Sequence, residues 1–253
     1  MKIAMIASVV ALAGAASASS ATLYAWTWNA GDAGDYGVND AAGTFESMST
    51  SYDDASGVWT WDVTFSDQVT DGYTLAVSPG ENPKGTPGEL ALIYFDNTAG
   101  GSPAVTVYGY NGQNSQLSWA DGSPDAGIQA PDKIASTLGL GAGTILDASV
   151  VDAGGKRTFS LALDAAALDA HSPQWPGPGG DADWTGVGYG DEIGMWLHPV
   201  SWLHSDYASD GFLNDWSAET EGWFDGRRFG TVPTPGTAAL MGLGGLVAAR
   251  RRR

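Results

Sequence analysis

Residues 58–65 read Val-Trp-Thr-Trp-Asp-Val-Thr-Phe, and this octapeptide constrains the fold more than any other stretch of the chain. On an extended strand Trp59, Trp61, Val63 and Phe65 share one face, while Thr60, Asp62 and Thr64 share the other. On a helix, positions two apart would sit on opposite sides of the axis, and the indoles could not be buried together. The segment therefore predicts a strand with one face in a core and one in water. Just upstream, Thr44 to Tyr52 is Ser/Thr-rich and β-prone, and the Asp53-Asp54-Ala55-Ser56-Gly57 link has hairpin-loop composition. These two strands are expected to pair antiparallel.

The pattern continues along the chain. Tyr73–Val77, Leu90–Phe95 and Val105–Tyr110 are short β-rich runs separated by Gly/Pro/Asn turn signals. Leu90–Phe95 is apolar on both faces, which predicts a central strand covered on each side. Ile145–Val151 and Arg157–Leu163 flank a second hairpin link, Asp152–Lys156, and Ile193–Leu197 is a last β-like run. Asp164–Ala170 reads as a short helix, with Asp164 as its N-cap. Eight to ten short strands with little helix predict an all-β fold. The expectation is one two-sheet antiparallel sandwich of jelly-roll or concanavalin-like kind, spanning residues 22–230 without a dividing linker.

Charge narrows the partners. The 253 residues carry 29 acids against 11 Lys and Arg, for a formal net charge of −18. Five of those bases (Lys2 and Arg250 to Arg253) lie in terminal segments, so the body between them is more acidic still. Such a polyanion repels phosphate backbones and anionic headgroups, which argues against nucleic-acid binding and leaves cations and neutral polymers. With no cysteine, the chain has neither disulfides nor thiolate chemistry.

The two ends read as addresses. Lys2, an apolar stretch from Ile3 to Ala13 and the small residues Ala16-Ser17-Ala18 match a secretory signal peptide, here residues 1–21, removed by signal peptidase. At residues 231–253, Val232-Pro233-Thr234-Pro235-Gly236 precedes a 13-residue apolar run, Thr237–Ala249, and then Arg250-Arg251-Arg252-Arg253. As a helix that run spans about 20 Å against a hydrocarbon core of about 30 Å, so it predicts a transient inner-membrane anchor, with the arginines as its cytoplasmic stop. This tail resembles the PEP-CTERM sorting signal, also labelled in places an ice-binding protein C-terminal domain. The family's usual Pro-Glu-Pro is Pro233-Thr234-Pro235 here. The resemblance implies processing by an exosortase-like membrane protease, Sec export to the surface or exterior of a bacterium with an outer membrane, and association with exopolysaccharide. The body is also similar to secreted bacterial proteins carrying this tail, around Gly88–Asp96 and Gly109–Gly112, and that likeness implies no activity.

Eleven tryptophans are the most unusual feature of the composition. Trp26 with Trp28, and Trp59 with Trp61, alternate with polar residues and are expected in the core. An indole outside the core can stack on the apolar C–H face of a sugar ring, with Asp or Asn meeting the hydroxyls. Trp175, Trp184 and Trp202 lie in Gly/Asp/Ser-rich segments and are the candidate glycan platform. Asp206, Asp210 and Asp215 form the candidate Ca²⁺ cluster, since loop carboxylates can supply the oxygens calcium prefers, although no EF-hand spacing is present. For a glycoside hydrolase or lyase, Glu46, Asp62 and Glu192 lie on expected strands, without a signature motif. His198, His204 and Asp206 have no common zinc spacing. No G-x-S-x-G, H-E-x-x-H or Walker loop occurs. The leading expectation is a non-catalytic exported protein that contacts polysaccharide; the alternatives are a carbohydrate-active enzyme and a calcium-dependent adhesive module.

Overall fold

A computed structural model describes residues 23–32, 38–78, 91–109, 119–120, 132–169 and 192–229. Within them the chain is all-β, and two antiparallel sheets pack face to face. The strands are β1 (Leu23–Asn29), β2 (Val38–Asn39), β3 (Phe45–Asp53), β4 (Val58–Phe65), β5 (Gly72–Ser78), β6 (Ala91–Asp96) and β7 (Ala104–Gly109). They continue as β8 (Asp132–Ser136), β9 (Ile145–Ala153), β10 (Lys156–Asp164), β11 (Glu192–Tyr207), β12 (Leu213–Glu221) and β13 (Trp223–Phe229). A short α-helix, α1 (Ala165–Asp169), follows β10, and the Asp164 carboxylate accepts from Ala166 N at its start. The smaller sheet runs β1-β3-β4-β10-β9; the larger runs β2-β13-β11-β5-β6-β7-β8, with β12 also paired to β11.

The two expected hairpins form. Phe45 to Asp53 pairs with Val58 to Phe65, and Lys156 turns back on Ala153. On β4 the alternation resolves as expected, because Trp59, Trp61, Val63 and Phe65 are fully buried. Trp26 and Trp28 join them from β1. Burying an indole also buries its N–H, and Trp59 Nε1 meets that cost by donating to Thr50 Oγ1 at 3.0 Å. From the larger sheet, Tyr73, Leu75, Ile93, Phe95, Val107 and Met195 close the same core. Aromatic rings bridge the layers: Phe45 stacks on Phe224 at 4.1 Å, and Phe159 meets Tyr73 and Phe95 edge-on at 5.5 and 5.3 Å.

β6 is buried along its whole length, as an interior strand covered on both sides should be. Its second cover comes from β11, which runs 16 residues where only Ile193–Leu197 announced a strand. The first half of β11 lies in the sheet, between β13 and β5, until Val200 pairs with Gly72 at the end of β5. Beyond that point it pairs only with β12 among the described strands. This β11–β12 hairpin folds over the outer face of the larger sheet. There Phe212, Leu213 and Trp216 pack on Ala76, Leu92, Tyr94, Tyr108 and Trp196 as a second apolar cluster.

Candidate functional site

The site is the root and solvent face of that hairpin. A strand leaving its sheet needs a sharp change of direction, and the change falls at Trp202, which alone among the described non-glycine residues has a left-handed backbone, φ 55°. That conformation costs an L-residue about 1–2 kcal/mol. Asp71, next to the first residue of β5, compensates. Its Oδ2 accepts from Trp202 N at 2.7 Å and from Leu203 N at 3.3 Å, while Asp71 N donates to Val200 O at 2.8 Å. Charge-assisted bonds of this kind contribute about 1.5–3 kcal/mol. The clamp turns the indole outward, and Trp202 is 72% exposed, the most exposed of the large apolar side chains described.

A second carboxylate fixes the hairpin farther out. Asp96, at the end of β6, is fully buried, and its Oδ2 accepts from Ser205 Oγ at 2.5 Å and Tyr207 OH at 2.7 Å. Its Oδ1 takes Thr98 N and Oγ1. Burial first, and then the adjacent Asp96 charge, push the Tyr207 phenol well above its usual range, so it remains a donor. The hairpin tip docks on β8 and the turn after it: Ser136 Oγ donates to Gly211 O, Leu140 N to Asp210 O, and Lys133 pairs with Asp210 at 2.7 Å. The backbones meet so closely there that a Cβ on Gly211 would lie 2.6 Å from Gly139 N.

With Leu203, Ser205 and Tyr207 turned inward, strand alternation places Trp202, His204 and Asp206 on the outer face. Across the hairpin, Asp206 pairs with Asp215 and His204 with Ser217. Glu219 lies between the partners of Ser201 and Leu203 and so stands across from Trp202. His204 Nε2 is 3.8 Å from Asp215 Oδ2, and Asn214 Nδ2 donates to Asp206. Alongside is a cavity of about 590 Å³ lined by Thr98, Ala99, Leu138 and Leu203 to Tyr207. The arrangement offers an indole face for C–H stacking beside carboxylates, a hydroxyl and an imidazole for hydrogen bonding.

Of the expected platform, Trp202 is exposed on this face, whereas Trp175 and Trp184 lie outside the described residues. So do the terminal segments, including Val232–Gly236 and Arg250–Arg253. Of the expected calcium cluster, Asp206 and Asp215 come together, but Asp210 turns to the tip. The Lys133 bond, with a second from Phe212 N, holds its carboxyl below the usual carboxylate range. Among the described residues no group of three or more His, Asp or Glu side chains is placed to hold a metal ion. Glu46 pairs with Lys156 and Asp62 accepts from Ser160, both away from the cavity. His198 is buried with Nε2 3.3 Å from Glu221. Asp71, Asp96 and Tyr207, which build the site, carry no sequence signal beyond a position at a strand end. No described helix is long and apolar enough to cross a membrane.

No family model matches the chain, and no curated protein does. One solved structure, reported under "pH-induced modulation of Streptococcus parasanguinis adhesion by Fap1 fimbriae", aligns at 13% identity over 83% of this chain and 96% of the other, with a TM-score of 0.24. A likeness at that score carries no argument about fold or activity.

Proposed function

We propose that this is an exported bacterial β-sandwich that contacts polysaccharide at the cell surface or in the extracellular matrix through the Trp202 face of its β11–β12 hairpin. The observation carrying this reading is an indole 72% exposed and held at an unfavourable φ by a dedicated carboxylate. Backbone strain of this kind persists only where the surroundings over-determine it, and it clusters at functional sites. A solvent-facing Trp beside a polar cavity is what stacking on a sugar ring requires.

Export is supported by the sequence. The segment 1–21 reads as a signal peptide, and 231–253, with Val232–Gly236, the apolar run and Arg250–Arg253, reads as a PEP-CTERM-like sorting signal cut by an exosortase-like protease after transient inner-membrane anchoring. Intact mass of the surface-retained protein tests this part. Loss of both end segments is expected; retention of Arg250–Arg253 speaks against the sorting reading. For glycan contact, affinity electrophoresis through gels containing neutral polysaccharides should retard the native chain. Trp202→Ala should abolish the retardation while the circular dichroism spectrum is unchanged. Equal retardation of both proteins counts against this face. Release of new reducing ends by the purified body would move the reading to a carbohydrate-active enzyme.

A further inference from the structure

From the charge around Trp202 we infer that the site selects amino-sugar glycans over uronate-rich ones, a refinement that rests on the polysaccharide-contact reading above. The indole and the cavity define where a sugar sits; the charged groups around them decide which sugar. Residues 202–221 contain five acids, one histidine and no Lys or Arg. Three of those acids, Asp206, Asp215 and Glu219, stand on the same outer face as Trp202. Asp210, the fourth, pairs with Lys133 at 2.7 Å, and Glu221, the fifth, lies 3.3 Å from the buried His198. A strand rises about 3.3 Å per residue, so Trp202 to Asp206 spans about 13 Å. A short run of pyranose rings stacked at Trp202 would therefore pass His204 and reach the Asp206–Asp215 pair.

A protonated 2-amino group brings three donors and a positive charge to carboxylates that have acceptor capacity to spare. An N-acetyl group brings one donor and no charge, and a uronate brings a charge of the wrong sign. Exposed ion pairs are individually weak, and three of them together reach about tenfold in affinity, in a form that salt screens.

Isothermal titration of the full body with β-1,4-linked glucosamine oligomers, N-acetylated oligomers of equal length and oligogalacturonate tests this. At about 20 mM salt the glucosamine oligomer should bind about tenfold more tightly than the N-acetylated one, with no binding of the uronate. At about 200 mM salt the advantage should shrink to about threefold. Changing Asp206→Asn, Asp215→Asn and Glu219→Gln together should erase the advantage, so that the two oligomers bind with equal affinity; Trp202→Ala should remove the binding of both. If the triple variant keeps the preference, or the uronate binds as well as glucosamine, the inference falls. If both uncharged and cationic oligomers bind equally through Trp202, only the charge selection fails. Absence of binding by every oligomer would remove the polysaccharide reading as well.

Discussion

The two sheets turn opposite kinds of outer face to their surroundings. On the smaller sheet, Thr27, Ser49, Asp62, Ser160 and Ser149 align in one row across all five strands, and Ser51 with Thr60 and Thr64 with Thr158 bond across neighbours. These short polar side chains satisfy one another and water, and nothing need cover them. The larger sheet carries Leu92, Tyr94, Tyr108 and Trp196 on its outer face, which in water would be a large exposed apolar patch. The chain meets that problem by folding its own β11–β12 hairpin over the patch. The kink that starts the roof is the feature that puts Trp202 into solvent, so the proposed recognition surface follows from covering the second core.

The largest effect should come from removing the roof's anchor. Trp216 is 5% exposed and edge-on to Tyr94 at 5.3 Å, and Trp216→Ala should cost about 3–5 kcal/mol in denaturant melts, as large-to-small core changes do. It should also raise binding of a hydrophobic dye. Next, Asp71→Ala strands the Trp202 and Leu203 amides and should cost about 2–3 kcal/mol. Hydrogen exchange would locate that loss. Amides of 201–221 should exchange faster while β4 and β10 keep their protection; uniform loss across both sheets would mean the roof is not a separate unit.

Legibility in the sequence followed the same division. β4 and β6 declared themselves, because one buried face gives clean alternation and two give a continuous apolar run. The outer half of β11 hid its period. Its inward positions are Leu203, Ser205 and Tyr207, and a half-buried serine is admissible there because Asp96, more than a hundred residues away, accepts its hydrogen bond. On β12 a register shift near Asp206 and Tyr207 puts Leu213 and Trp216 out of phase, so alternation fails although both are buried. The same blindness joined Asp210 to Asp206 and Asp215. Spacing along the chain cannot show that the tip turns one of the three toward Lys133. Trp202 was singled out by composition alone, and its strain and its Asp71 clamp are visible only in three dimensions.

Acid should affect the uncovered sheet in part through the carboxylates around Arg157. Bonding to Arg157 lowers the Asp152 carboxyl, and at Asp67 amide bonds from Thr44 and Val69 outweigh the opposing effect of burial. Both folded values lie below the unfolded 3.8, so their stabilisation is complete above that pH and is lost as pH falls through the folded values. Melting temperature should therefore fall modestly on acidification below about pH 4. Arg157→Gln should flatten that drop; an unchanged profile would place the acid sensitivity elsewhere.

The smallest effects separate recognition from folding on the two faces. Glycine adopts a φ of 55° without strain, so Trp202→Gly should leave stability unchanged or raise it by about 1 kcal/mol while removing the proposed glycan contact. Ordinary surface residues lack this opposition between stability and binding. On the hydroxyl face, Ser160→Ala deletes one partner of Asp62, which keeps access to water, and should change stability by no more than about 0.5 kcal/mol with binding intact. Thermal melts and affinity electrophoresis on the two variants form a matched pair. If Trp202→Gly is destabilising, the indole is a packing element of the roof, and its exposure is a by-product of the bend. If Ser160→Ala weakens binding, recognition extends to the hydroxyl rows, and the contrast between a bare face and a working one must be drawn differently.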